Sequence, residues 1–264
     1  MVPIHTSALT RRFGDFTAVD ALTLDVQMGQ IFGLLGSNGA GKTTVIKMLT
    51  TLLPPTSGTA LVAGFDIRKQ AARVRRAIGY VPQMISADGT LTGYENLLIF
   101  AKLYDIPRGA RSARIADALE LMELTDAADR LVREYSGGMI RRLEIAQSML
   151  HRPQILFLDE PTVGLDPIAR NSVWDRLLTL RESFETTIFL TTHVMEEADA
   201  LCQEIAILHR GSVAISGSPA ALKATIGADA TLDDVFVRYA GTSLESGGTY
   251  RDVSRTRRTA QRVG

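Results

Sequence analysis

Residues 31–53 read IFGLLGSNGAGKTTVIKMLTTLL. The first five form a compact apolar run, which predicts a buried strand. From Lys42 onward the apolar residues fall at helical spacing until Pro54 and Pro55 stop them. Between strand and helix stands GSNGAGKT (36–43), which fits G-x-x-x-x-G-K-[ST]. Gly36, Gly39 and Gly41 permit a tight turn that points successive backbone N–H groups inward, where phosphates would sit. Lys42 is expected to neutralise the β- and γ-phosphates, in binding and in catalysis, and Thr43 to ligate Mg²⁺. The whole loop, Gly36, Ser37, Asn38, Gly39, Ala40, Gly41, Lys42, Thr43 and Thr44, is read as nucleotide-binding. A chance match in a chain this long is on the order of one in a hundred.

A second motif supports the first. ILFLDE (155–160) is an apolar strand ending in two carboxylates. Two acids at the end of a buried strand cost free energy without a charge partner, and Mg²⁺–ATP supplies one. Asp159 is expected to hold the metal through water. Glu160 is expected to orient or deprotonate the attacking water. The chain has no guanine-reading N-K-x-D segment where a GTPase would have one, so ATP is favoured.

The bulk properties agree with a globular enzyme. The chain has 264 residues, 45% hydrophobic and 22% charged, enough for a sizeable core. Its 29 basic and 29 acidic residues balance, so no nucleic-acid partner is expected. With one cysteine, Cys202, no internal disulfide is possible, which fits a reducing compartment. The first residues lack a signal-peptide core, and no apolar run approaches the ~18 residues of a membrane span. A link to a membrane is therefore expected to run through another protein.

The periodicity predicts two short strands within 7–28, with FGDF (13–16) as their turn, and strands around Gly58 and Gly64. Further strands are expected at 78–83, 155–159, 187–192, 204–209 and 210–217. Helices are expected at 93–105, 110–124, 138–150, 167–182, 219–224 and 232–239. Buried strands alternating with helices predict an α/β fold with a mostly parallel core sheet. The helical block 92–150 interrupts that alternation and reads as an inserted subdomain. Residues 1–240 are read as one nucleotide-binding domain with an N-terminal antiparallel β subdomain. The rest, 241–264, reads as a disordered basic tail; residues 251–264 hold five arginines against one aspartate, a net of +4.

Residues 135–150, YSGGMIRRLEIAQSML, place a serine and two glycines before a helical pattern. Such a helix start bares N–H groups and suits an anion, so the chain carries a second phosphate-like site. Ser-Gly-Gly alone is weak, since roughly one chain in ten of this length contains it by chance. Its position, after the helical insert and before the acidic strand, resembles the signature of the ATP-binding cassette (ABC) superfamily, usually L-S-G-G-Q. Here Tyr135 and Met139 replace the flanking residues, and Met139 lacks an amide to bind with. Other landmarks follow in order. Gln83 in VPQM looks like the Q-loop glutamine, Asp166 in GLDP like the D-loop, and His193 in TTHV like the switch histidine. Phe13 stands where the family stacks an aromatic on adenine.

The resemblance implies roles for these residues. Phe13, Gln83, Ser136, Gly137, Gly138 and Asp166 would bind nucleotide, with Gln83 also near the metal. His193 would join Glu160 and Lys42 in catalysis. It further implies a head-to-tail dimer, in which the signature of one subunit closes over the γ-phosphate held by the P-loop of the other. YSGGM-RR (135–142), LTTHVMEEADALC (190–202) and TLDDVFVRYAG (231–241) are similar to the ATPase subunits of ABC-2 type exporters, the daunorubicin-resistance-like and sodium-extrusion-like systems. The implied partner is a polytopic membrane permease, with the chain peripheral on the cytoplasmic face of the cell membrane. The cargo would be a drug or another small molecule. An importer ATPase, a soluble ABC ATPase and a small-molecule P-loop kinase are the other readings; the kinase would lack the signature.

Overall fold

The computed structural model describes residues 2–241. Apart from Gly241, the tail lies outside the described residues. The chain opens with an antiparallel hairpin, β1 (Ile4–Phe13) and β2 (Phe16–Val26), turned at Gly14 with φ +57°. Then come β3 (Ile31–Leu35), α1 (Lys42–Leu49), β4 (Ser57–Val62), β5 (Phe65–Asp66), α2 (Ala71–Ala77) and β6 (Ile78–Val81). Three helices follow, α3 (Gly93–Leu103), α4 (Arg108–Leu121) and α5 (Gly137–Met149). The second half runs β7 (Ile155–Asp159), α6 (Pro167–Phe184), β8 (Thr187–Thr192), α7 (Met195–Leu201), β9 (Glu204–His209), β10 (Ser212–Gly217), α8 (Pro219–Ala224) and α9 (Leu232–Ala240).

Two sheets result. The first is antiparallel, in the order β2-β1-β4-β5, and the second is β10-β9-β3-β8-β7-β6. The second is parallel except for β10, which pairs antiparallel with β9. All five residues of β3 are buried, as are all five of β7 and all six of β8. Strands buried on both faces read as near-continuous apolar runs, and the polar members, Thr187, Thr191, Thr192 and Asp159, sit at the strand ends.

Their alternation decides which core each residue enters. Phe32, Leu34, Phe157 and Phe189 face α1 and the antiparallel sheet. Phe32 and Phe189 stack there at 5.4 Å. Ile31, Leu35, Leu156, Leu158, Ile188 and Leu190 face the helical insert, α6 and α7. The central sheet is therefore the middle of three layers, and its strand ends carry the site.

The insert begins with a capping box: Thr92 Oγ1 accepts from Glu95 N, and Glu95 returns a carboxylate to Thr92 N. α1 ends at Leu49, earlier than the expected 53. The Thr50 hydroxyl bonds back to the Ile46 carbonyl at 2.8 Å, and Thr51 turns to φ +66°. Two helices, α2 and α7, arise where none was expected.

Candidate nucleotide site

The loop between β3 and α1 wraps the start of the helix. Gly41 adopts φ +109°, and a Cβ there would lie 2.4 Å from the Ala18 carbonyl oxygen. A Cβ at Gly36 would lie 2.7 Å from the Leu208 carbonyl. Only glycine lets the loop pass so close to β2 and β9. Lys42 folds back over the loop, donating to the carbonyls of Gly36 at 2.8 Å and Ser37 at 3.2 Å. Ala40 is buried, and its amide bonds to Ser37 O. Gly39 has open space around it.

β7 delivers the two acids beside this loop. Asp159 Oδ1 accepts from Thr191 Oγ1 at 2.6 Å and from Thr43 Oγ1 at 3.3 Å. The next residue, Glu160, takes φ +50°, a conformation that costs a non-glycine residue roughly 1–2 kcal/mol. Its amide donates to Thr191 O and Thr191 Oγ1, both at 3.1 Å, which holds the turn in place. The strain redirects the Glu160 side chain. Oε1 lies 3.0 Å from Lys42 Nζ and 3.3 Å from His193 Nδ1, and Oε2 accepts from Gln83 Nε2 at 3.2 Å. One carboxylate thus gathers residues from β7, α1 and the ends of β6 and β8. Burial, with the nearby Asp159 charge, pushes the Tyr80 phenol up to about 12, so Tyr80 stays neutral beside the acids.

These groups border a cavity of about 680 Å³, within the range of small-molecule sites. Of the residues expected from the sequence, Phe13, Asn38, Gly39, Gly41, Lys42, Thr43, Thr44, Gln83, Glu160 and His193 line it. Gly36, Ser37, Ala40 and Asp159 do not line it, though Asp159 bonds to the lining Thr43. Phe16, Ala18 and Val163 also line the cavity and were not expected. Phe16 follows Phe13 across a two-residue turn, so FGDF itself carried that signal. The Arg11 guanidinium lies 4.6 Å from the Phe13 ring centre. The donor set fits a nucleotide with a hard cation: a helix start and an ammonium for phosphates, and hydroxyl and carboxylate oxygens for the metal.

Four expected residues lie elsewhere. Ser136 is the N-cap of α5, its hydroxyl accepting from Met139 N at 3.3 Å. A Cβ on Gly138 would lie 2.8 Å from Ala169 Cβ, and one on Gly137 would lie 3.1 Å from Leu165 Cδ2. The two glycines therefore let α5 abut the start of α6. Asp166 caps α6, with Oδ1 accepting from Ile168 N and Ala169 N. Ser136, Gly137 and Asp166 are exposed. None of the four lines the cavity.

The comparisons with known proteins agree on the family. A family model described as "ABC transporter" matches residues 19–163. The daunorubicin/doxorubicin resistance ATP-binding protein DrrA of Streptomyces peucetius is 45% identical over 226 residues, 86% of this chain and 68% of that protein. A Nod factor export ATP-binding protein I from Ralstonia nicotianae is 44% identical over 216 residues, 82% of this chain and 67% of that protein. A solved ATP-binding subunit of an ABC transporter superposes with a TM-score of 0.79 at 26% identity, over 90% of this chain and 99% of that one. A dimeric ATP-binding cassette bound to ADP and Pi shares the fold, with a TM-score of 0.72 at 24% identity, over 81% of this chain and 98% of that one. A glycine loop, two acids on one strand end and these relatives all lead to one conclusion: the chain belongs to the ABC transporter family and is one of its ATP-hydrolysing subunits.

Proposed function

We propose that this chain drives export of a drug or other small molecule by hydrolysing ATP in a head-to-tail dimer docked on separate membrane permease subunits. The observation that carries the catalytic part is the placement of Glu160 Oε1 within 3.3 Å of both Lys42 and His193 at the cavity wall. The P-loop amides and Lys42 bind the phosphates, and the exposed Phe13 and Phe16 rings offer a face to the base. Thr43 and Asp159 would hold Mg²⁺, with Gln83 near it, and the ion would supply positive charge beside the phosphates. Glu160 accepts a proton from water as the water oxygen bonds to the γ-phosphorus and the bond to ADP breaks. His193 steadies the Glu160 carboxylate and the departing phosphate.

What the cavity lacks supports a dimer. Ser136–Gly138 form a helix start that does not line their own chain's cavity. A second copy arranged head to tail would bring them to the other nucleotide; the solved cassette with ADP and Pi, which shares the fold, is itself dimeric. Export rests on the names of the DrrA and Nod factor relatives. No helix among the described residues is long and apolar enough to cross a membrane. Met84 and Ile85, directly after Gln83, are 82% and 62% exposed and offer apolar contact to a permease on the cytoplasmic face.

Glu160→Gln tests the reading. The variant should bind ATP like the wild type, hydrolyse it at least ~100-fold more slowly, and run as a dimer in gel filtration with ATP. Near wild-type turnover would sink the assignment. Export is scored separately, by ATP-dependent drug accumulation in inverted vesicles holding the chain and its permease.

A further inference from the structure

Glu197 lies in α7, four residues after His193, and is 1% exposed. No Lys, Arg or His pairs with it among the described residues. A buried carboxylate without a cation is costly unless strong hydrogen bonds satisfy it. Two do. Oε1 accepts from Thr162 Oγ1 at 2.7 Å and from Trp174 Nε1 at 3.1 Å. Thr162 is two residues beyond Glu160, in the loop that leads to α6, and Trp174 is inside α6. One oxygen therefore ties the helix after the switch histidine to the loop after the acidic strand and to the helix that loop enters.

The neighbourhood reinforces this tie. The Arg170 guanidinium sits 4.9 Å from the Trp174 ring centre and reaches Glu196 at 3.0 Å, so α6 and α7 are joined a second time at the surface. Burial pushes the Cys202 thiol far above its ordinary value, and the Glu197 charge adds to the shift. Glu197 touches none of the cavity-lining side chains through a hydrogen bond, so any effect it has on hydrolysis passes through the residues it holds.

We propose that Glu197 is a positioning residue for hydrolysis: by holding Thr162 and Trp174 it keeps His193 in register with Glu160. The proposal rests on the reading of Glu160 and His193 as a catalytic pair. A shift of about 1 Å between two such groups costs up to about 100-fold in rate. ATP affinity is set mainly by the P-loop and should change little.

The full-length chain tests this with its own reporter, since Trp174 is the sole tryptophan. Glu197→Ala should keep the wild-type KM for ATP, lose about 10- to 100-fold in kcat, and shift the Trp174 emission as its indole loses its acceptor. Glu197→Gln keeps a carbonyl oxygen for both donors and should recover most of the rate and the emission. Glu197→Ala combined with His193→Ala should be no slower than His193→Ala alone, because the first acts through the second. If Glu197→Ala fails to fold, Thr162→Val and Trp174→Phe each remove one donor and should lower kcat at unchanged KM. Wild-type kcat in a folded Glu197→Ala, an additive double variant, or a loss confined to melting temperature would overturn the proposal. Glu160→Gln run beside them separates the two failures. If it stays active, the catalytic pair is wrong and the proposal falls with it. If it is inactive while Glu197→Ala is active, only the role of Glu197 is wrong.

Discussion

The Lys42 ammonium lies 3.0 Å from Glu160 Oε1, with both side chains at least 93% buried. The cation assigned to the phosphates and the carboxylate assigned to the water are thus one buried ion pair. Removing one partner of such a pair leaves an uncompensated charge and costs about 3–5 kcal/mol. His193 and Gln83 still touch Glu160, so the lower end is expected. Lys42→Ala should therefore lose hydrolysis and also melt at a lower temperature. Adding Glu160→Gln removes the stranded charge and should restore most of the melting temperature but none of the hydrolysis. A double variant that melts no higher than Lys42→Ala would show that the pair does not stabilise the fold.

The oxygens around Asp159 give a second prediction. Thr43 and Thr191 both donate to Oδ1, yet only Thr43 lines the cavity. Thr43→Ala should raise the Mg²⁺ concentration for half-maximal hydrolysis by about tenfold, the loss of roughly one hydrogen-bonding ligand. Thr191→Val should raise it less and should destabilise the fold more, because Thr191 Oγ1 also receives the Glu160 amide. Mg²⁺ titrations of hydrolysis and thermal melts of both variants check the order; a reversed order would reassign the metal ligand.

Two glycines of one loop should behave differently. Both have positive φ, +82° at Gly39 and +109° at Gly41, so alanine at either costs roughly 1–2 kcal/mol in strain. At Gly41 the new methyl also meets the Ala18 carbonyl at 2.4 Å, while at Gly39 nothing lies within 4 Å. Gly41→Ala should lower the melting temperature clearly more than Gly39→Ala. Equal shifts would mean that β2 does not press on the loop.

How much of this was visible beforehand depended on whether a residue's role is set by its neighbours in sequence or across the fold. Strands 155–159, 187–192 and 204–209 emerge with their expected bounds because each is an apolar run ended by a polar or charged residue. The P-loop and the two acids were legible because their chemistry needs fixed spacing. α2 was not, since its one fully buried side chain, Val74, leaves no apolar stripe to read. α7 spans seven residues and has no capping side chain at Val194, whereas the even shorter α8 is announced by Ser218 and Pro219. Thr162, Trp174 and Glu197 are spread over 35 positions, and their meeting depends on how α6 and α7 pack. Phe16 borders the cavity beside Phe13, and both rings are exposed, so the meeting of the turn with the P-loop across the fold is what marks it.

The buried pair Arg141–Glu144 joins α5 to the residues after β6. Arg141 donates to the carbonyls of Pro82 at 2.8 Å and Gln83 at 2.9 Å, and pairs with Glu144 at 3.0 Å. Glu144 in turn accepts from the Ser86 hydroxyl at 2.9 Å. Burial lowers the Arg141 pKa from its usual value, but the Glu144 and Asp159 charges oppose the shift, so the guanidinium stays charged. Glu144→Ala strands that charge and should cost about 3–5 kcal/mol. Arg141→Met with Glu144→Leu removes both charges and should be less destabilised than either single change. Denaturant melts decide; if the double variant is the worst of the three, the pair is a net stabiliser.

The last prediction concerns Ser136, which caps a helix outside the cavity of its own chain. Lys42→Ala and Ser136→Arg homodimers should each be inactive, the first for want of the phosphate cation, the second because a long side chain fills the helix start. Co-assembled with the permease at equal amounts, they form mixed dimers about half the time by random pairing. In a head-to-tail mixed dimer, one composite site collects both defects and the other collects neither. About a quarter of wild-type hydrolysis should then return if the two sites act independently, by the same symmetry argument. If they are coupled, turnover stays low, but the sound site should still occlude ATP, so occlusion is measured too. Were Ser136 to serve its own chain's P-loop, every site in the mixture would carry one defect and neither signal would appear. That result, with mixed dimers shown to form by differential tagging, would refute the assignment of Ser136–Gly138 to the partner's nucleotide.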